Sequence, residues 1–144
     1  MGTETSERIQ RERLERHIGQ RIRPITCLEG VRVLGCSPMS LTLEARVTSE
    51  ALNVRGFAHG GWLFTLCDTA SGALVFSRGL DCVTQNASIT YLRGASAGET
   101  VKARLRCVHW GRASVVNEVT LLNQDDQPLV IATLTMFVMG PARE

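Results

Sequence analysis

Asn53, His59, Gly60, Gly61 and Asp68 fall within one short stretch, Asn53-Val-Arg-Gly-Phe-Ala-His-Gly-Gly-Trp-Leu-Phe-Thr-Leu-Cys-Asp68. Two glycines where a loop feeds an apolar helix offer bare backbone N–H groups, and the helix dipole there favours negative charge. Asp68 is the only acid between Glu50 and Asp81. An unpaired acid inside an apolar helix is costly, so this one is expected to be used. Amides for a developing oxyanion, with a carboxylate nearby as base or nucleophile, are the parts of a hydrolytic site.

The elements that must position these groups are legible from periodicity. Leu41, Leu43, Ala45 and Val47 alternate with Thr42, Glu44, Arg46 and Thr48, a half-buried strand, and Gly30 to Cys36 precede it as an opening strand across Ser37-Pro38. An apolar helix follows over about 59–77, ended by Arg78-Gly79. Its apolar residues surround most of the circumference, which predicts burial nearly all round. Gly61, Thr65, Asp68 and Gly72, spaced by four, three and four, form one small or polar line along it.

Four more strands are expected at 82–92, 101–108, 112–122 and 129–138, with Lys102, Arg104 and Arg106 facing outward. The order is β-β-α-β-β-β-β, an α+β class. The turns at Arg93-Gly94-Ala95-Ser96 and Asn123 to Asp126 make an antiparallel meander the simplest topology. One sheet curled around the long helix would bury it. Residues 1–24 form a separate charged segment with a weak helical period at Ile9, Leu14, Ile18 and Ile22, which Pro24 would end.

The 144 residues, 44% hydrophobic and 21% charged, suit one globular domain. A net charge of +2 is too mild to imply nucleic acid. No apolar run reaches the ~18 residues of a membrane span, and the acid-containing N-terminus resembles neither signal nor transit peptide, so the expected location is cytoplasmic. Five cysteines without a C-x-x-C pair, and three histidines without paired spacing, predict buried hydrophobes and no metal.

The motif Asn53-x-x-Gly56-x-x-His59-Gly60-Gly61 with Asp68 eight residues after Gly60, then Ile89-Thr90-Tyr91-Leu92-Arg93, Gly98-Glu99 and Gly111-Arg112, resembles the hotdog-fold acyl-CoA thioesterases, the phenylacetate-pathway branch in particular. The resemblance covers about residues 28–138, within a domain of 25–140. It implies the hotdog fold, a sheet wrapped around one central helix, and a homodimer that often pairs into a dimer of dimers. It also implies an acyl-CoA substrate, small, medium-chain or aryl, with coenzyme A entering as part of that substrate and no separate cofactor.

In that frame Gly60 N–H is the oxyanion donor and Asp68 the base or nucleophile. Asn53 would donate its side-chain amide to the leaving sulfur or position the water. His59 either caps or packs the loop, or takes part in catalysis or in orienting the oxyanion loop. Thr84 is the nearest match for a polar group on the strand after the helix, with Asn86 as competitor. Gly61, Asn86, Arg93, Gly94, Gly111 and Arg112 are the candidates for substrate and coenzyme A binding.

Eight residues of helix put Gly60 and Asp68 roughly 12 Å apart, so both can act on one thioester only if they come from different protomers. A non-catalytic acyl-CoA-binding domain is the alternative, disfavoured by Asp68. A hotdog hydratase or dehydratase, which would carry a different histidine-containing helix motif, is a further one.

Overall fold

The computed structural model describes residues 2–20, 28 and 30–143. The elements are α1 (Gly2–Gln20), β1 (Arg32–Ser37), β2 (Ser40–Arg46), α2 (Gly60–Ser77), β3 (Leu80–Tyr91), β4 (Thr100–Trp110), β5 (Ser114–Leu122) and β6 (Pro128–Pro141), with a 3-10 turn at Ser49–Ala51. The strands form one antiparallel sheet in the order β1-β2-β4-β5-β6-β3. It is the hotdog arrangement, with α2 packed on the sheet.

Alternation builds the strands. In β4, Val101, Ala103, Leu105 and Cys107 are buried, while Arg104 and Arg106 are exposed and Lys102 is half-buried beside Asp126. Their inward faces and α2 enclose a core in which Leu41, Leu43, Leu66, Leu74, Leu105, Leu121 and Leu134 are almost completely shielded from water. Burial of this kind is the main stabilising term for a domain of this size.

The expected meander is correct for β4, β5 and β6 and wrong for β3. That strand pairs with β6 at the far edge, leaving β2 beside β4. Residues 92–99 are therefore a crossing from one side of the sheet to the other, and the Arg93-Gly94-Ala95-Ser96 turn belongs to it rather than to a hairpin. A helix this apolar needs cover on both flanks, and the crossing lets the sheet lie across its middle.

Burial of α2 is also less complete than its composition predicts. Gly61 is exposed, while Phe64, Thr65, Asp68, Thr69, Gly72 and Phe76 are only half-buried. The cause is that β3 is an edge strand whose residues 83–88 are exposed on both faces, so the sheet ends beside this stripe. At its other end, α2 stops at Gly79, whose φ of +84° lets its N–H return to Phe76 O at 2.8 Å.

α1 is tied to the same body. Leu14 is fully buried, Gln10 Nε2 donates to Ser37 O at 2.6 Å and Ser77 Oγ at 3.3 Å, and Arg11 donates to Val33 O at 3.2 Å. Tertiary packing stabilises this helix beyond its weak periodicity. The expected stop at Pro24 lies outside the described residues, as does Cys27. Among the described residues, no helix is long and apolar enough to cross a membrane.

Candidate active site

The loop leading into α2 is built around Asn53. Its Oδ1 accepts from the N–H of Arg55 (2.9 Å) and Phe57 (3.2 Å), and its own N–H donates to Phe57 O at 2.7 Å. This is an Asx-type closure, and Gly56 at φ +83° completes the tight turn. With Oδ1 engaged as an acceptor within the loop, the Nδ2 group is the part of the Asn53 side chain left for the expected donor role.

Two strands of contact fix this loop to the β3–β4 crossing. Ala58 N donates to Ala95 O at 2.8 Å, and Phe57 bridges to Ser96. Phe57 packs against Gly94, where a Cβ would stand only 2.7 Å from its Cδ1. The glycine expected to admit a phosphate is thus required by an aromatic ring.

His59 is the N-cap residue, exposed, with no side-chain capping bond. The capping role considered for it is not what the structure shows; its backbone does the work, accepting from Leu63 N at 3.1 Å and donating to Ala51 O at 2.8 Å. The amides of Gly60 and Gly61 follow in the first turn, where helical geometry supplies no acceptor. Tyr91 has no assigned role in the sequence, yet its hydroxyl donates to Gly60 O at 2.8 Å and its ring crowds Gly60, where a Cβ would stand 3.2 Å away. The signal was present only as an aromatic at the end of a strand.

Asp68 sits half-buried midway along the open stripe, and Thr84 Oγ1 donates to its Oδ1 at 2.5 Å. The strand thereby holds one carboxylate oxygen and leaves the other for a ligand. Thr84 pairs with Met136, whose side chain is buried, so both face α2. A bulge at Gln85 then shifts the register, and Asn86 pairs with Thr135 on the opposite face. Asn86, the competitor for this role, is accordingly turned away from Asp68. Burial pushes the neighbouring Cys67 thiol up to about 12 and Cys82 up to about 11, and the Asp68 charge adds to both.

The cationic candidates are divided between the two ends of α2. Arg93 and Gly94 are on the crossing at its start. Gly111 and Arg112 lie in the β4–β5 turn, next to Trp110, which stacks under Arg78 at the helix end with 3.7 Å to the ring centroid. Gly111 N donates to Ser114 O at 2.8 Å, and a Cβ there would meet His109 Nε2 at 2.6 Å, so this glycine serves the turn itself. The 18 residues of α2 separate the two groups by roughly 27 Å. Gly60 and Asp68 are likewise about two helical turns apart in one protomer. Among the described residues, no cluster of His, Cys, Asp and Glu is placed to hold a metal.

Residues 55–130, just over half of the chain, match the thioesterase superfamily family model. The chain is 29% identical over 102 residues to the acyl-coenzyme A thioesterase PaaI of Escherichia coli, covering 71% of this chain and 73% of that protein. A Streptococcus mutans protein crystallised with acetyl CoA is 40% identical, with a TM-score of 0.78 over 86% of this chain and 98% of that one. A hypothetical thioesterase of Streptococcus pneumoniae, solved with coenzyme A, is 35% identical, with a TM-score of 0.81 over 88% and 99%. That S. pneumoniae protein has also been solved with an aspartate and with a threonine replaced by alanine, each structure 37% identical to this chain with a TM-score of 0.76 over 83% and 98%. A family match that runs from the loop before Gly60 through Asp68 and Thr84 into β6, on a hotdog sheet, leaves one assignment: this chain belongs to the thioesterase superfamily.

Proposed function

We propose that the chain is an acyl-CoA thioesterase that hydrolyses a small, medium-chain or aryl acyl-CoA to the free acid and coenzyme A. The observation that carries this reading is the Thr84–Asp68 hydrogen bond on the open stripe of α2, which presents an oriented carboxylate where the core leaves room for a ligand. The two alanine substitutions in the S. pneumoniae protein are sixteen positions apart, the same separation as Asp68 and Thr84. The relatives solved with acetyl CoA and coenzyme A support the substrate class.

In this reading two protomers pair through their β3 edges. β3 runs back along α2, from its end at Leu80 to its start at Tyr91. Antiparallel pairing of two such edges reverses the helices and brings the start of one towards the middle of the other. Gly60 N–H would then face Asp68 of the partner subunit, giving two sites per dimer. The same reversal carries the β4–β5 turn of one protomer towards the other's crossing, so Arg93 and Arg112 would meet one coenzyme A from different chains.

Hydrolysis adds water across the thioester. Either Asp68 takes a proton from a water that attacks the carbonyl carbon, or its carboxylate attacks directly and water cleaves the resulting anhydride; coenzyme A leaves as the thiol in both. Gly60 N–H takes the charge that develops on the carbonyl oxygen, and the helix dipole adds to it. Phe57, 42% exposed, and Phe64, on the Asp68 face, offer apolar cover for the acyl group, whereas Trp62 belongs to the core. Free-thiol release from a panel of acyl-CoAs, wild type against Asp68→Ala, tests the proposal: undiminished turnover in the variant would remove it, and binding without release in the wild type would favour the non-catalytic alternative.

A further inference from the structure

Tyr91 closes β3 beside the start of α2. Its hydroxyl donates to the carbonyl of Gly60 at 2.8 Å, and the hydroxyl end of its ring packs so closely on Gly60 that a Cβ there would lie 3.2 Å from both Cζ and the hydroxyl oxygen. The carbonyl of Gly60 and the N–H of Gly61 belong to one rigid peptide plane. Holding the first therefore fixes the direction of the second, along the helix axis and out of the first turn. A hydrogen bond accepted by a peptide carbonyl also polarises the unit and strengthens its N–H as a donor.

From this geometry we infer that Tyr91 is a positioning residue that orients the Gly60–Gly61 peptide, so that Gly61 N–H serves beside Gly60 N–H as a second donor to the thioester oxygen. The inference rests on the thioesterase reading above and assigns to Gly61 more than substrate contact. Three features agree with it. The carbonyl has two lone pairs, so Tyr91 adds to the intrahelical bond without replacing it. The ring packs so tightly on Gly60 that a side chain there would have to displace it by a few tenths of an ångström. Desolvation, with the nearby Cys67 thiol adding to it, raises the Tyr91 hydroxyl above its ordinary value, so the phenol remains a donor through neutral and mildly alkaline pH.

Tyr91→Phe keeps the ring and removes only the hydroxyl. Loss of one neutral hydrogen bond acting in the transition state lowers kcat by roughly three- to tenfold with KM little changed. An unchanged melting temperature is expected alongside. The amide resonance of Gly61 in a 15N–1H spectrum reports the orientation without reference to activity, and it should move in Tyr91→Phe more than that of Gly72, farther along α2. A wild-type kcat, or an unmoved Gly61 resonance, in an enzyme that Asp68→Ala still inactivates would overturn the role of Tyr91 and leave the thioesterase reading intact. Wild-type protein that releases no thiol, or turnover indifferent to Asp68→Ala, would instead overturn that reading and this inference with it.

Discussion

The hydroxyl of Thr84 donates to Asp68 Oδ1 at 2.5 Å, linking the edge strand β3 to the middle of α2. A carboxylate on a helix otherwise keeps its rotamer freedom. Here one oxygen is tethered by a strand, and the orientation of the other follows.

Removing Asp68 and removing its tether should have unequal effects. Asp68→Ala is expected to lower kcat by about 10²-fold or more, the range for loss of a general base or nucleophile. Thr84→Ala should cost roughly tenfold and Thr84→Ser much less, since serine restores the donor. Combined in one protein, the Asp68→Ala and Thr84→Ala effects should fall short of additive because Thr84 acts through Asp68. Steady-state thiol release on the four variants reads all of this.

The proposed sharing of each site between two protomers predicts complementation. Gly60→Pro removes the N–H at the first helical position, where proline's fixed φ is tolerated; the extended His59 that precedes it (φ −54°, ψ 142°) suits a following proline, and the exposed Tyr91 ring has to give by a few tenths of an ångström to admit the new Cβ. Gly60→Pro and Asp68→Ala should each be inactive alone. Co-refolded in equal amounts, they should regain about a quarter of wild-type activity, because half of the dimers are mixed and each mixed dimer holds one intact site. Recovery no greater than the sum of the separate variants would place both groups' action within one protomer.

The close packing of Phe57 on Gly94 predicts a defect that size alone can relieve. A methyl at Gly94 has 2.7 Å where contact needs well over 3 Å, and the ring it meets anchors the loop before Gly60. Gly94→Ala should destabilise by about 1–3 kcal/mol, the usual cost of overpacking, and lower kcat as well. Phe57→Leu combined with it should recover part of the stability, measured by urea unfolding.

Cys67 and Cys82 predict an alkaline limit. Both titrate near 9.0 when unperturbed and at about 12 and about 11 in the folded chain. The folded state thus holds these protons more tightly, so the stabilisation is complete below pH 9 and is lost as pH rises towards 11–12. Urea midpoints should fall between pH 9 and 11, and the fall should be shallower in a variant with both cysteines replaced by alanine. At pH 8, Cys67 in the native protein should resist alkylation until the chain unfolds.

The legibility of this protein in its sequence is uneven for identifiable reasons. The alternation of Val101, Ala103 and Leu105 with Lys102, Arg104 and Arg106 is a local property of a strand with one buried face, so β4 was readable residue by residue. Nothing local says which strand β3 will join: residues 83–88 pattern alike for an inner or an outer strand, so the meander holds for β4, β5 and β6 and fails only at β3. The bulge at Gln85, which turns Asn86 away and leaves Thr84 on Asp68, is also a matter of pairing.

The sequence by itself determined the chemical inventory: a glycine pair at the start of α2, a lone acid eight residues on, and the distance that keeps them apart in one helix. Those follow from covalent spacing and helical rise. Only the tertiary structure decided that Thr84 orients Asp68, that Phe57 dictates Gly94, that Tyr91 holds Gly60, and that Arg93 and Arg112 stand at opposite ends of α2. Each of these joins segments far apart in the chain, through the pairing of β3 with β6 and the crossing that pairing forces, and the free energy that selects such a pairing comes from burying α2 as a whole.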